Sequence, residues 1–269
     1  MKGYLFLILI MLVGTVNGSY ITINTIISAE EIIYGNETVI NVTVSNLGDE
    51  PAYGIIISLI LPEGFSSDEI YVGRLNPNEN FTGRFFVRID DNLLPGRYEI
   101  GVITDYKDLN DYPFSAISKK SIVLGRDTIS KVLLSVSNVE ISRDEKLIIR
   151  LRNLDTTEHQ VRVRLFLPRE FSSNLISRDI RIDPREEKYI EAKIENLNAL
   201  VGSSYFIFAT LEYEYNNMHH SYSSAAILKV VEEEDGEGID LIFLSLIIIF
   251  VLLLIMFILL RFRGNERRK

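Results

Sequence analysis

The sequence predicts an all-β protein: two tandem β-sandwiches followed by one C-terminal transmembrane helix. Three observations predict it. Apolar and polar side chains alternate with a period of two through most of the chain between Ser19 and Val231. Short motifs recur in that region at one spacing, 106 or 107 residues. Leu241 to Leu260 is a run of twenty residues without a charge.

The N-terminal element reads "MKGYLFLILIMLVGTVNGSY". Lys2 supplies a short positive region, and Tyr4 to Val13 is an unbroken apolar run of ten. That run is too short to cross about 30 Å of hydrocarbon. Val16-Asn17-Gly18 follows as a cleavage region. The layout predicts a secretory signal peptide over residues 1–18.

The middle is written twice. "VSNLGDEPAYGIIISLILPEGFSS" ends at Ser67, and "LRNLDTTEHQVRVRLFLPREFSS" ends at Ser173. Asn46-Leu47 matches Asn153-Leu154, and Leu61-Pro62 matches Leu167-Pro168. "NPNE" from Asn76 matches "DPRE" from Asp183, and Gly96 near Tyr98 matches Gly202 near Tyr205. A period this long exceeds the 20–50 residues of solenoid repeats and is the size of a whole domain. Two domains are therefore expected, over residues 19–124 and 125–231. Each holds runs of five to nine residues with strand patterning, separated by Gly, Pro, Asn and Asp turns. About seven such strands in ~100 residues describe an immunoglobulin-like sandwich.

The repeated "LP..FSS" ends a strand. Proline lacks the N–H a ladder needs, so pairing stops at Pro62 and Pro168. Phe65 and Phe171 are expected to fold back under the sheet ends as plugs. The junction between the copies is about six residues, "GRDTIS", and the outward positions Arg162, Arg164, Lys193 and Glu195 are charged. This predicts an end-to-end pair with a small polar contact, and not faces packed together.

The C-terminal elements follow. Residues 232–240, "EEEDGEGID" with the preceding valine removed, hold six acids and no base and read as an acidic linker. Residues 241–260 are long enough to cross a bilayer as a helix, which satisfies its own backbone. Arg261, Arg263, Arg267, Arg268 and Lys269 lie in the tail, residues 261–269. Positive residues stay on the cytoplasmic side, so the tail is expected inside and both sandwiches outside. A single-pass type I protein of the cell membrane is expected.

Asn46, Leu47, Gly48, Pro62, Gly64, Gly73, Leu75, Pro77, Glu79, Pro95, Gly96 and Tyr98 form the pattern N-L-G, L-P-E-G-F, G-x-L-x-P-x-E and L-P-G-x-Y-x-I. The pattern resembles archaeal and bacterial CARDB-like domains, immunoglobulin-like modules found in S-layer-associated and cell-surface proteins. The resemblance covers Ala29 to Leu124 well. It is looser from Ile129 to Val231, where Gly48, Gly64 and Pro95 have no glycine or proline equivalents. It implies a surface interaction or structural protein whose partners are the membrane and a cell-surface protein or glycan. Some members resemble accessory subunits of membrane export systems, so a permease is the alternative partner. Gly and Ala are absent from Leu241 to Leu260, which suits lipid more than close helix packing.

Chemistry is sparse. There is no cysteine, so no disulfide framework and no thiolate metal site is expected. The three histidines, His159, His219 and His220, lack metal-site spacing. His219 and His220 are adjacent on a strand and point to opposite faces. Asp105, Asp108 and Asp111 read as a solvated hairpin and not as a calcium loop. No catalytic residue, cofactor or metal is expected, and the chain is read as a non-enzyme. The first copy carries 7 bases and 15 acids between Tyr20 and Leu124, and the second 15 of each between Gly125 and Val231. An acidic first copy argues against nucleic acid as a partner. Three glycosylation acceptors, Asn36, Asn41 and Asn80, all fall in the first copy.

Overall fold

The computed structural model describes residues 20–233, 245–253 and 255–256. Seventeen strands account for most of it. The first eight are β1 (Ile23–Ser28), β2 (Glu37–Asn46), β3 (Ala52–Ile60), β4 (Phe65–Ser66), β5 (Ile70–Leu75), β6 (Asn80–Ile89), β7 (Gly96–Lys107) and β8 (Pro113–Leu124). The second group opens with β9 (Val132–Val136), β10 (Val139–Ile141), β11 (Asp144–Asn153), β12 (His159–Phe166) and β13 (Phe171–Ser173). It closes with β14 (Ser177–Ile182), β15 (Glu187–Asn196), β16 (Ser204–Tyr215) and β17 (Met218–Val230).

Each group is a two-layer sandwich with its own core. In the first, the sheet β1-β2-β6-β4 faces β8-β7-β3-β5. In the second, β13-β15-β11-β9 faces β14-β12-β16-β17, with β10 parallel to β17. Alternation decides which side chains meet. Along β2, Ile40, Val42 and Val44 are buried while Asn41, Thr43 and Ser45 face outward. Those inward residues join Ile55, Ile57, Phe85, Ile100 and Val102 in one core. Leu147, Ile149, Leu151, Val161, Ile207 and Leu211 belong to the other. Each such burial contributes about 1.5–3 kcal/mol.

The recurring motifs are the corners of each sandwich. Asn46 is fully buried; its Nδ2 donates to Glu50 O and Leu75 O, and its Oδ1 accepts from Gly48 N. Asn153 repeats this, with Nδ2 donating to Thr157 O and Asp183 O and Oδ1 accepting from Asp155 N. A buried amide must satisfy its hydrogen bonds, so one asparagine ties two loops together. In the adjoining turn Glu79 Oε2 accepts from Asn76 N at 2.8 Å, and Glu186 Oε2 from Asp183 N at 2.6 Å. The plugs are where the sequence places them. Phe65 N donates to Pro62 O and Phe171 N to Pro168 O, and each ring turns inward onto a tyrosine. Phe65 lies 5.1 Å from Tyr98, and Phe171 lies 5.0 Å from Tyr205. Tyr98 donates its hydroxyl to Leu94 O at 2.6 Å, a tyrosine corner of the kind that fixes immunoglobulin-like sandwiches.

The end-to-end arrangement expected from the sequence is not the one found. Outward residues of β7 and β8 meet outward residues of β16 and β17. Lys119 Nζ donates to Ser223 Oγ, which in turn donates to Glu99 Oε2. Phe208 is buried against Gly101, where a Cβ would stand 3.0 Å from its ring. Ile117 and Val123 are also buried on this side. A single parallel bridge between Gly96 and His219 joins the two groups into one nine-stranded sheet. Gly96 has φ of 153°, and a Cβ there would meet His219 O at 1.9 Å, so only glycine allows this approach. Of the charged positions that suggested otherwise, Arg164 lies on β12 and Lys193 and Glu195 on β15, while Arg162 on β12 does reach the junction, 3.6 Å from Glu63 of the first sandwich. The faces that pack are built from Gly101, Ser115, Ser121, Ser221 and Ser223 with a few apolar plugs.

Of the C-terminal span, residues 245–253 and 255–256 are helical, and Leu246, Ile247, Ile248, Ile249 and Phe250 are exposed. Among the described residues no helix is long and apolar enough to cross a membrane. The rest of the 241–260 segment lies outside the described residues, as do the signal peptide, the linker beyond Glu233 and the basic tail.

Candidate functional site at the junction of the two sandwiches

A cleft of about 520 Å³ opens where the two sandwiches meet. Glu63, Asp90 and Tyr98 line it from the first; Arg162, Glu212 and His219 line it from the second. The sequence builds it from strand ends. β17 begins at Met218 after a turn in which Asn216 and Asn217 both have positive φ, which places His219 against the start of β7.

His219 is the centre of this arrangement. Its ring stacks on Tyr98 at 3.9 Å and 5°. Nδ1 lies 3.1 Å from Arg97 O, a pairing that puts the ring proton on Nδ1. Thr128 Oγ1 donates to His219 O at 2.8 Å. Burial, and secondarily His220, pushes the imidazole down to about 4, so the ring is neutral at pH 7. Nε2 faces Glu212 Oε2 at 3.9 Å. Burial also pushes the Glu212 carboxyl up, against the pull of Arg164 and Arg162. Arg164 Nη2 donates to Glu212 at 2.6 Å, and Arg162 pairs with Asp179 at 2.9 Å and with Glu63 at 3.6 Å. His219 on Tyr98 and Arg97 O, and Arg162 with Glu63, cross the junction, while Arg164, Glu212 and Asp179 pair within the second sandwich behind them, so the arrangement acts as a clamp.

A second clamp lies at the other end of the contact. Glu170 is 2% exposed, and its two oxygens accept from Ser115 N at 2.7 Å and Ser115 Oγ at 2.6 Å. Arg169 N donates to the same hydroxyl. Burial pushes the Glu170 carboxyl up. Tyr112 donates its hydroxyl to Asn198 O nearby. Glu170 stands in the second copy where the first has Gly64, inside the repeated "LP..F" turn. An acid at a turn position that is glycine in the other copy is the one signal in the sequence that marked it.

The remaining residues singled out from the sequence are dispersed. Asn36 and Asn80 are exposed and Asn41 is half-buried; all three belong to the β2–β6 sheet or its margin. Thr43 and Thr82, which complete two of these triplets, share a hydrogen bond of 2.9 Å. Thr38, which completes the third, is buried. His159 pairs with Asp155 at 3.1 Å within the second sandwich. His220 stacks on Tyr213, on the opposite side of its strand from His219. Asp108 Oδ1 accepts from Asn110 N and Tyr112 N and so shapes its own loop. Among the described residues no cluster of His, Asp or Glu is placed to hold a metal ion.

Fold and junction define a class: a β-protein of two clamped sandwiches. Within it, residues 20–110 match the CARDB family model, so the first sandwich contains a CARDB domain. That match stops short of the end of β8, which the sequence resemblance had included. No curated protein matches the sequence. A protein of unknown function from Porphyromonas gingivalis W83 is similar over 76% of this chain and 98% of its own, at 13% identity and a TM-score of 0.30. Native alpha-2-macroglobulin from Escherichia coli, from domain MG7 to the C-terminus, is similar over 54% of this chain and 23% of its own, at 13% identity and a TM-score of 0.34.

Proposed function

We propose that this is a membrane-anchored cell-surface interaction or structural protein of the S-layer-associated kind. It presents two immunoglobulin-like sandwiches outside the cell as one unit and works by binding, without catalysis or cofactor. The observation that carries the reading is the CARDB domain at residues 20–110 joined, in one chain, to an apolar C-terminal segment. The described part of that segment is helical, with Leu, Ile and Phe side chains exposed, as lipid contact requires. The junction supports it too: buried Glu170 and His219 hold the sandwiches together, so a partner meets a fixed surface and little ordering entropy is lost on binding. The membrane is one partner; a cell-surface protein or glycan is the other.

The test is a topology assay on intact cells that carry an epitope after Lys269. External protease is expected to digest both sandwiches and to leave the epitope protected. A protected sandwich pair, or a digested epitope, rejects the reading. Co-purification of a stoichiometric permease from mild detergent would replace the surface role with that of an export-complex subunit.

A further inference from the structure

We propose that the pocket between the β7–β8 hairpin and the Arg169–Glu170 turn binds a neutral glycan. The proposal rests on the surface-binding role above and names the partner class of the same junction. The pocket encloses about 460 Å³, within the roughly 300–1,000 Å³ typical of small-ligand sites.

Its walls come from both sandwiches. Tyr106 and Phe114, neighbours across the hairpin with ring centroids 5.6 Å apart, give it apolar ring surface. Aromatic faces carry partial negative charge, and the C–H bonds on one side of a pyranose carry partial positive charge, so the two attract. The floor is a β-bulge. Register shifts between Tyr53 and Ile56 where β3 pairs with β7, and Gly54 there has φ of 58°. A bulge bends the strand and opens space beside it; a Cβ at Gly54 would meet only the far end of Lys107, at 4.0 Å.

The polar groups are of both signs and largely partnered within the protein. Glu69, Asp105 and Glu170 stand with Lys107 and Arg169, and both Glu170 oxygens are taken by Ser115. Arg169 Nε lies 2.6 Å from Asp105 Oδ1, and that oxygen is buried. Burial pushes this carboxyl up, with Arg169 opposing. Asn198 closes the wall from the second sandwich, and its carbonyl accepts the Tyr112 hydroxyl, which fixes the hairpin tip over the pocket. With Arg169 paired to Asp105, Lys107 to Asp111 and Glu170 bonded to Ser115, the site gains little from an ionic ligand. Ring surface flanked by carboxylate and guanidinium groups suits a ligand that is apolar on one face and rich in hydroxyls at its rim.

The full chain in lauryldimethylamine oxide, a detergent without sugar, is the material for the test. Saturation-transfer NMR is run against four neutral disaccharides: cellobiose, maltose, mannobiose and N,N′-diacetylchitobiose. At least one is expected to bind. Its dissociation constant should rise about tenfold or more in Asp105→Asn, which is isosteric, and in Phe114→Ala. Phe86→Ala, an exposed ring on the other sheet, should change nothing. The proposal is overturned if none of the four binds more tightly than about 10 mM. It is also overturned if binding survives both pocket variants, or if a lysine-rich peptide binds in place of the sugars. Topology does not enter this measurement, so a failed membrane reading and a failed glycan site give different results.

Discussion

Acid should loosen the junction through one imidazole. His219 is buried between Tyr98 and Arg97 on β7 and Glu212 on β16, with His220 beside it in sequence. Its folded-state value is pushed down to about 4 from the ordinary 6.5. Unfolded, the ring takes up its proton near 6.5; folded, it resists until near 4. The unfolded state therefore binds more protons across that window, and stability falls as pH falls from about 6.5 to about 4. At about 1.36 kcal/mol per pH unit the loss approaches about 3 kcal/mol. For a body of this size that is roughly 6–12 °C in Tm.

Glu212, Glu170 and Asp105 work in the opposite direction, because burial raises their folded values and acid then favours the folded state. The variant His219→Phe separates the effects. It keeps the stack on Tyr98 and removes the titrating group, and the lost bond to Arg97 O costs about 1 kcal/mol at every pH. Thermal unfolding of the full chain in detergent at pH 7, 5.5 and 4 is the assay. The wild type should lose several degrees more than the variant between pH 7 and 4. Two curves that run parallel within about 1 °C would refute the assignment of a buried, neutral His219.

Two further changes test the clamps. Gly96→Ala drives a Cβ into His219 O and should cost at least the upper end of the roughly 1–3 kcal/mol typical of overpacking, read as a shift in denaturant midpoint. Glu170→Gln keeps an acceptor for Ser115 N and drops a buried charge, so it should cost under about 1 kcal/mol at pH 7. Glu170→Ala leaves both Ser115 donors without their acceptor and should cost about 2–4 kcal/mol by the same measurement; equal costs for the two would show that Glu170 is not a clamp.

The sandwiches were legible because their signals are local. Alternation in β2 and β11, proline at 62 and 168, and a buried asparagine at 46 and 153 each act within a few residues of chain. The Phe65 and Phe171 plugs were legible for the same reason. The junction was not. Lys193 suggested that outward faces stay wet, but it sits on β15, away from the hairpins that pack, and Arg162 meets the junction by pairing with Glu63. On β8 and β17 four of the outward positions, Ser115, Ser121, Ser221 and Ser223, are serine, which a solvent face and a close contact accept equally well. His219 carries no spacing that announces a partner 122 residues away in sequence, and only the fold brings Arg97 and Tyr98 to it.

The divergence of the copies then has a physical reason. Gly101 and Phe208 are equivalent positions, separated by the same 107 residues as Tyr98 and Tyr205. They also touch each other across the junction. Had both copies kept glycine, the contact would hold a void the size of a phenyl ring. Such a void destabilises by about 24 cal/mol per Å³. Had both kept phenylalanine, the two rings would compete for one space. A near-symmetric contact between repeats is therefore satisfied only by unlike residues at like positions. Gly64 and Glu170 also differ at like positions: Gly64 has no side chain to reach across, and its counterpart Glu170 reaches across to Ser115. Positions that stopped repeating thus hold the sandwiches to each other, alongside Gly96 and Tyr98, which recur as Gly202 and Tyr205 and still meet His219 across the junction.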